Sequence, residues 1–464
     1  MKKILFVSVA TIAAMLMACA EPDVPEQEGE GDGNKTEQPA DLDPLTVKVP
    51  VTENWIYDST PYFTFNVENP NDAAMTADVT IRISTDRKKL VSVINYSEEV
   101  EAKAKKSINV DVTDELEPGF YRAVCFVNGK TARSFTFGVN PDQLVSAPDM
   151  QPDFEEFWNT AKEQLASIDM NATLTELPKK SSAARKVYLV EMQSVPDGLT
   201  GEPVTIRGYY VEPQDGEKHP VIIHFFGYDT QNSTSKPTCP SGGSSDTYAE
   251  FYLSTRGQIL NNRDAAHREP DGKGDNKNIY GDWFAYEFGN RDSYYYRGAF
   301  MDCVQAVRFM ATRPTSDMNN LFAEGSSQGG AFSYAAAALS DYPFTAIAPC
   351  VAFLGDFPDY FNIVSWPGDT ARNNQGSMTD EEMFAFLSYF DTKNLATRIL
   401  CPVIACSGLQ DGTCPPHTNL APFNNLSNED KQMYYYPEMK HEIPSGWSKK
   451  YGDFFEAHIT TAAE

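Results

Sequence analysis

The apolar and polar positions of this 464-residue chain follow two different patterns, which change over near residue 140. Leu45–Val51, Tyr62–Val67 and Asp78–Ile83 alternate apolar and polar residues with period two, and Tyr121–Val127 and Arg133–Val139 do so less strictly. Such alternation marks strands with one buried face. Asn69–Asp72 and Glu117–Gly119 punctuate the strands as turns. Residues 45–140 are therefore expected to form a small all-β sandwich of immunoglobulin-like type. Two roles suit it, carbohydrate binding or a rigid packing module. The second is favoured, because no cluster of exposed aromatics stands out.

From residue 146 the pattern becomes strand–helix alternation. Pro220–Phe226, Phe344–Cys350 and Cys401–Ser407 are short apolar runs, as strands buried on both faces require. Between Tyr294 and Arg313, Ala299, Cys303, Ala306 and Met310 recur at helical spacing. This predicts one large α/β domain over 146–464, with a mostly parallel sheet and helices on both faces.

The ends change the picture. Lys2 and Lys3 precede a predominantly apolar run, Ile4–Met17, too short for an ordinary membrane-spanning helix. The run ends in Leu16-Met17-Ala18-Cys19, which resembles a bacterial lipoprotein processing site. The expectation is a signal peptide over 1–18 and a lipid-modified Cys19, with anchoring at the outer membrane or cell surface. The rival is an ordinary secretory signal cleaved near Ala18 or Ala20. The stretch 19–44 is acidic and poor in apolar residues, so it reads as a flexible tether. The formal charge of −27 repels polyanions and makes nucleic acid a poor partner. Of the eight cysteines none forms a C-x-x-C pair, and buried free thiols are expected for Cys303, Cys401 and Cys406. No metal cluster or phosphate-cradling loop is visible, and no cofactor is called for.

The chemistry centres on Gly325-Ser326-Ser327-Gln328-Gly329. It fits G-x-S-x-G, with strand-like Leu321–Ala323 before it and helix-like Ala331–Leu339 after it. A nucleophile on so sharp a turn needs small neighbours, and Gly325, Gly329 and Gly330 supply them. Ser327 is the expected nucleophile. In this arrangement the acid and then the base follow in the chain. Of six histidines only His417, His441 and His458 follow Ser327. His441 lies in a loop after strand-like Gln432–Tyr436 and is favoured as base. His417 follows Pro415-Pro416 and reads as structural, and His458 lies in a terminal amphipathic helix. Asp411, just after the strand ending near Ser407, is favoured as acid, with Glu442 as rival. The amides of Gln328 and Tyr228 are the expected oxyanion donors.

These residues resemble the acetyl xylan esterase and cephalosporin-C deacetylase family of α/β-hydrolases. The likeness runs from about residue 146 to about 460. It is carried by Phe154–Trp158, Gly227-Tyr228, Arg256-Gly257-Gln258, Tyr294–Arg297, Gly325–Gly330, Phe353–Phe357, Tyr389–Asp391, Gly408–Asp411, Cys414–Pro416 and His441-Glu442. It implies a cofactor-free serine esterase for acetylated xylo-oligosaccharides or other small acetyl esters. Ser327, Asp411 and His441 would be its triad, and Tyr228 and Gln328 its oxyanion hole. The chain departs from the pattern at Phe226, where the family usually has histidine, at Ile259–Asn262, and over Asp264–Gly281. Phe225 and Phe226 are expected to rim a small acyl pocket. The rival functions are an esterase for larger acyl groups such as feruloyl esters, a serine peptidase of the same fold, and a non-catalytic glycan-binding lipoprotein.

Overall fold

The computed structural model describes residues 42–228, 247–258, 260 and 280–460. The signal segment, Cys19, nearly all of the tether, Cys239 and most of Asp264–Gly281 lie outside the described residues. Both folded regions expected from the sequence fall in one compact unit, Asp43–Glu464.

The first region holds β1 (Thr46–Lys48), β2 (Ile56–Tyr57), β3 (Tyr62–Glu68), β4 (Met75–Thr85), β5 (Leu90–Val100), β6 (Lys105–Asp111), β7 (Gly119–Val127) and β8 (Lys130–Val139). They form two sheets, ordered β1-β3-β6 and β2-β8-β7-β4-β5. The period-two pattern explains the core between them. Phe63, Phe65 and Val67 of β3 and Val79, Ile81 and Ile83 of β4 point inward and are almost fully buried. Trp55 stacks on Phe135 at 4.1 Å.

The second region holds strands β9 (Thr173–Glu176), β10 (Arg185–Ser194), β11 (Val204–Pro213), β12 (His219–Phe225), β13 (Ala249–Ser254), β14 (Ser316–Ser326), β15 (Ala346–Cys350), β16 (Val403–Gly408) and β17 (Lys431–Tyr436). Its helices are α1 (Phe154–Ala166), α2 (Tyr295–Ala311), α3 (Gln328–Leu339), α4 (Phe357–Ile363), α5 (Gly368–Asn374), α6 (Asp380–Leu387), α7 (Thr392–Ala396), α8 (Pro416–Asn424) and α9 (Trp447–His458). The nine strands make one sheet, ordered β17-β16-β15-β14-β12-β13-β11-β10-β9. The six strands from β17 to β13 are parallel, and β11, β10 and β9 continue antiparallel. Successive residues serve opposite faces. Val221, Ile223, Leu321 and Ala323 belong to the core that includes α2 and α3, whereas Ile222, Phe322, Ala346 and Ile404 pack with Trp447, Phe454 and Phe455 of α9. Covering both faces makes these strands read as unbroken apolar runs.

The sandwich packs directly on the hydrolase region. Asn424 donates to the carbonyls of Pro141 and Leu144 at 3.1 and 2.9 Å. A buried ionic cluster joins the two regions at His417. Its Nδ1 lies 2.6 Å from Asp86, in the β4–β5 turn, and its Nε2 lies 3.1 Å from Asp359 and 3.5 Å from Asp356. Lys393 bridges Asp356 and Asp149 at 3.0 and 3.2 Å. Burial opposes the imidazolium, but the three carboxylates outweigh it and raise the His417 pKa well above the usual histidine value. Asp356, Asp359 and His417 place possible metal-ligand atoms within 4.8 Å of one another, a grouping that sequence spacing did not reveal. In the structure these atoms are engaged as an ion-pair network. Among the described residues Cys125, Cys303, Cys350, Cys401, Cys406 and Cys414 are free and buried, and the sulfurs of Cys350 and Cys406 lie 3.2 Å apart across β15 and β16.

Candidate active site

Ser327 stands between β14 and α3 with φ 57° and ψ −122°. Such a backbone is strained for a residue with a Cβ and persists because its surroundings fix it. The Ser327 amide donates to Cys350 O at 2.9 Å, and Phe353 N donates back to Ser327 O at 3.0 Å. A Cβ on Gly325 would lie 2.4 Å from Gly329 O, and one on Gly329 would lie 2.5 Å from Phe225 O. Both positions therefore need glycine for close backbone approach, and the second presses the first turn of α3 against the end of β12.

That approach brings together the two segments expected to bind an oxyanion. Gln328 opens α3, where an amide has no partner within the helix. Its side chain is held by Tyr296, whose hydroxyl donates to Oε1 at 2.9 Å. Tyr228 follows the end of β12. Gln258 Nε2 donates to Gly227 O at 3.1 Å. Gly227 O and Tyr228 N belong to one planar peptide, so holding the carbonyl aims the amide the opposite way. Arg256 and Gly257 precede this glutamine. Arg256 is buried against Asp302, with Nη2–Oδ1 at 2.7 Å, and a Cβ on Gly298 would collide with its guanidinium at 2.1 Å.

His441 joins Ser327 to Asp411. Its Nε2 lies 3.0 Å from Ser327 Oγ, and its Nδ1 lies 2.8 Å from Asp411 Oδ2. Asp411 is buried, and its other oxygen accepts from the amides of Thr413 and Cys414, both at 2.8 Å. Burial disfavours the His441 cation, but Cys414 and Asp411 favour it more strongly and raise the pKa above the ordinary histidine value. The proximity of Cys414 was not read from the sequence.

The other candidates fall elsewhere. His417 sits in the ionic cluster, and His458 on α9 pairs with Asp430 at 2.9 Å. Phe225 packs on Phe332, and the ring of Phe226 lies 6.4 Å from that of Tyr252. A cluster of aromatic rings close to the serine comes from residues scattered along the chain. The Tyr228 ring meets Trp283 at 5.1 Å, Trp366 at 5.4 Å and Phe353 at 6.3 Å, and its hydroxyl donates to Asp282 at 2.6 Å. Phe353 also stacks on Trp366 at 4.9 Å. Its amide bond to Ser327 O places the Phe353 main chain beside the serine. Sequence order gives no hint of the grouping, because each ring comes from a different loop.

A sequence model of the acetyl xylan esterase family matches residues 143–458. Acetyl esterase Axe7A of Xylanibacter ruminicola is 25% identical over 456 residues, which is 95% of this chain and 93% of that protein. Among solved structures, an acetyl xylan esterase from Paenibacillus sp. R4 is 25% identical and superposes with a TM-score of 0.56, covering 68% of this chain and 98% of that one. Acetyl xylan esterase 1 from Thermoanaerobacterium sp. JW/SL YS485 is 24% identical with a TM-score of 0.57, covering 69% of this chain and 98% of that one. Both solved esterases are matched almost whole, yet they account for only about two thirds of this chain.

Proposed function

The chain belongs to the acetyl xylan esterase family and is a carboxylic ester hydrolase that removes acetyl groups from carbohydrates; from that premise we propose that Ser327, His441 and Asp411 are its triad and that acetylated xylo-oligosaccharides or related small acetyl esters are its substrates. The observation carrying this reading is the continuous chain of hydrogen bonds from Asp411 through His441 to Ser327 Oγ. In the reaction His441 Nε2 takes the serine proton while Oγ attacks the acetyl carbonyl carbon. The amides of Gln328 and Tyr228 receive the charge that develops on the carbonyl oxygen. His441 then returns the proton to the departing sugar oxygen, leaving acetyl-Ser327. Water, deprotonated by the same ring, attacks this ester; the Oγ–carbonyl bond breaks, the ring returns the proton to Ser327 Oγ, and acetate is released. The ring must be neutral to begin, so its raised pKa implies activity that climbs with pH through the His441 titration. No step calls for a cofactor.

The wall of Tyr228, Trp283, Phe353 and Trp366 supports a small acyl pocket. Each methylene forced into a filled pocket costs about 1–3 kcal/mol, or roughly 10- to 200-fold in kcat/KM. A series of nitrophenyl esters at fixed pH is expected to be fastest with acetate, slower with propionate and slowest with butyrate. A profile rising towards butyrate would move the substrate class to longer acyl groups and leave the triad in place.

The same reading places the enzyme on a membrane surface through a lipid on Cys19, supported by Leu16-Met17-Ala18-Cys19 and the acidic stretch behind it. Cys19→Ser is expected to shift the protein from the detergent-soluble membrane fraction to the soluble one. Unchanged fractionation would assign the attachment to another part of the chain.

A further inference from the structure

The turn carrying Asp411 and the loop leading to His441 both meet the sandwich, and one side chain links all three. Gln410 Oε1 accepts from Thr136 N at 2.9 Å, while its Nε2 donates to Thr136 O at 3.1 Å and to Pro437 O at 2.7 Å. Thr136 lies on β8. One edge of β8 pairs with β7, and the other meets β2 only at Gly138 and Val139. At Thr136 the Gln410 amide therefore offers one donor and one acceptor, as the peptide of a neighbouring strand would. Its bond to Pro437 O ties the start of the loop that runs to His441. The main chain closes the same joint, with Gln410 N donating to Met439 O at 3.0 Å and Leu409 N donating to Tyr436 O at 3.0 Å. Arg133, also on β8, reaches Glu438 of this loop at 2.6 Å and is itself held by Val49 O at 2.6 Å.

We propose that the sandwich is a positioning element of the active site, with strand β8 setting the spacing between Asp411 and His441 through Gln410. This rests on the triad reading above. Gln410 touches no reacting atom, so its effect passes through its neighbours. Asp411 precedes Thr413 and Cys414, whose amides hold its carboxylate, and a shift of this turn relative to the 437–441 loop lengthens the Asp411–His441 bond. An exposed ion pair such as Arg133–Glu438 contributes little alone. The partly buried amide clasp, with three bonds made by one planar carboxamide, carries the geometry.

The test uses the full chain with Gln410→Leu, which removes all three bonds while keeping volume, and Gln410→Glu, which keeps the acceptor and loses both donations. A displacement of up to about 1 Å at the triad should lower kcat between about 10- and 100-fold, with KM within about twofold. The acid limb of the kcat/KM profile should move to lower pH, because the two groups that raise His441, Asp411 and Cys414, both sit on the released turn. A merely structural role would leave that limb in place. Wild-type kcat and an unmoved limb in either variant, folded by circular dichroism, would overturn the proposal. Ser327→Ala in the same assay separates the two levels. If it is inactive while the Gln410 variants are normal, only the role of the sandwich falls. If it turns over like wild type, the triad reading falls first.

Discussion

Replacing Ser327 with alanine is expected to lower kcat by on the order of 10⁶ while leaving the fold intact. The serine supplies the atom that forms the acyl-enzyme, and no other hydroxyl is hydrogen-bonded to His441 Nε2 among the described residues. Without it, the ring and the two amides can only assist direct attack by water. Such oxyanion and binding effects alone leave a small residual rate. The fold should tolerate the change. Alanine at φ 57° has the same Cβ as serine, and the backbone bonds to Cys350 and Phe353 do not involve Oγ. The check is kcat on nitrophenyl acetate beside circular dichroism and a melting curve. A folded variant retaining more than about a tenth of wild-type kcat would remove Ser327 from the mechanism.

The second large effect is expected from Asp411→Asn, a loss of about 10⁴ in kcat on the scale known from another serine hydrolase fold. The hydrogen-bond inventory fixes the reason. One carboxylate oxygen accepts from the amides of Thr413 and Cys414, so the asparagine oxygen must take that position. Its NH₂ group then faces His441 Nδ1, where the carboxylate oxygen now sits at 2.8 Å. Two donors cannot share that contact. The ring adopts the other tautomer, with its proton on Nε2, and cannot accept from Ser327. Glu442→Gln should be mild by comparison, because Asp411 already occupies Nδ1. Single-turnover acetate release from both variants decides between the carboxylates, and a larger loss in Glu442→Gln would make Glu442 the acid.

The hydrogen-bonded grouping of Ser327, His441 and Asp411 was legible because its parts carry local signals. An apolar strand, a glycine-bounded serine and an alanine-rich helix stand in one continuous stretch, Leu321–Leu339, and the candidate acid and base each follow a strand-like segment. The antiparallel half of the sheet was harder to see. β11 is almost wholly buried and shows no alternation, so a strand paired on both edges reads like any apolar segment. Long-range pairings left no local trace. Asp86 meets His417 331 residues away, and Thr136 meets Gln410 274 residues away. Periodicity identifies which face of an element is buried but not what covers it. For the same reason the grouping of Tyr228 with Trp283, Phe353 and Trp366, close in space but far apart in the chain, was not anticipated. Phe225 follows the inward alternation of β12 and so belongs under α3.

The most direct test of a serine acetyl esterase acting on carbohydrates is acetate release from a panel of acetylated sugars, xylo-oligosaccharides and polysaccharides, followed for the wild-type chain and for Ser327→Ala. Wild type should release acetate from the acetylated xylo-oligosaccharides, and the variant should release none above background. Absence of acetate from every acetylated carbohydrate, alongside efficient cleavage of feruloyl esters or aminoacyl amides, would contradict it.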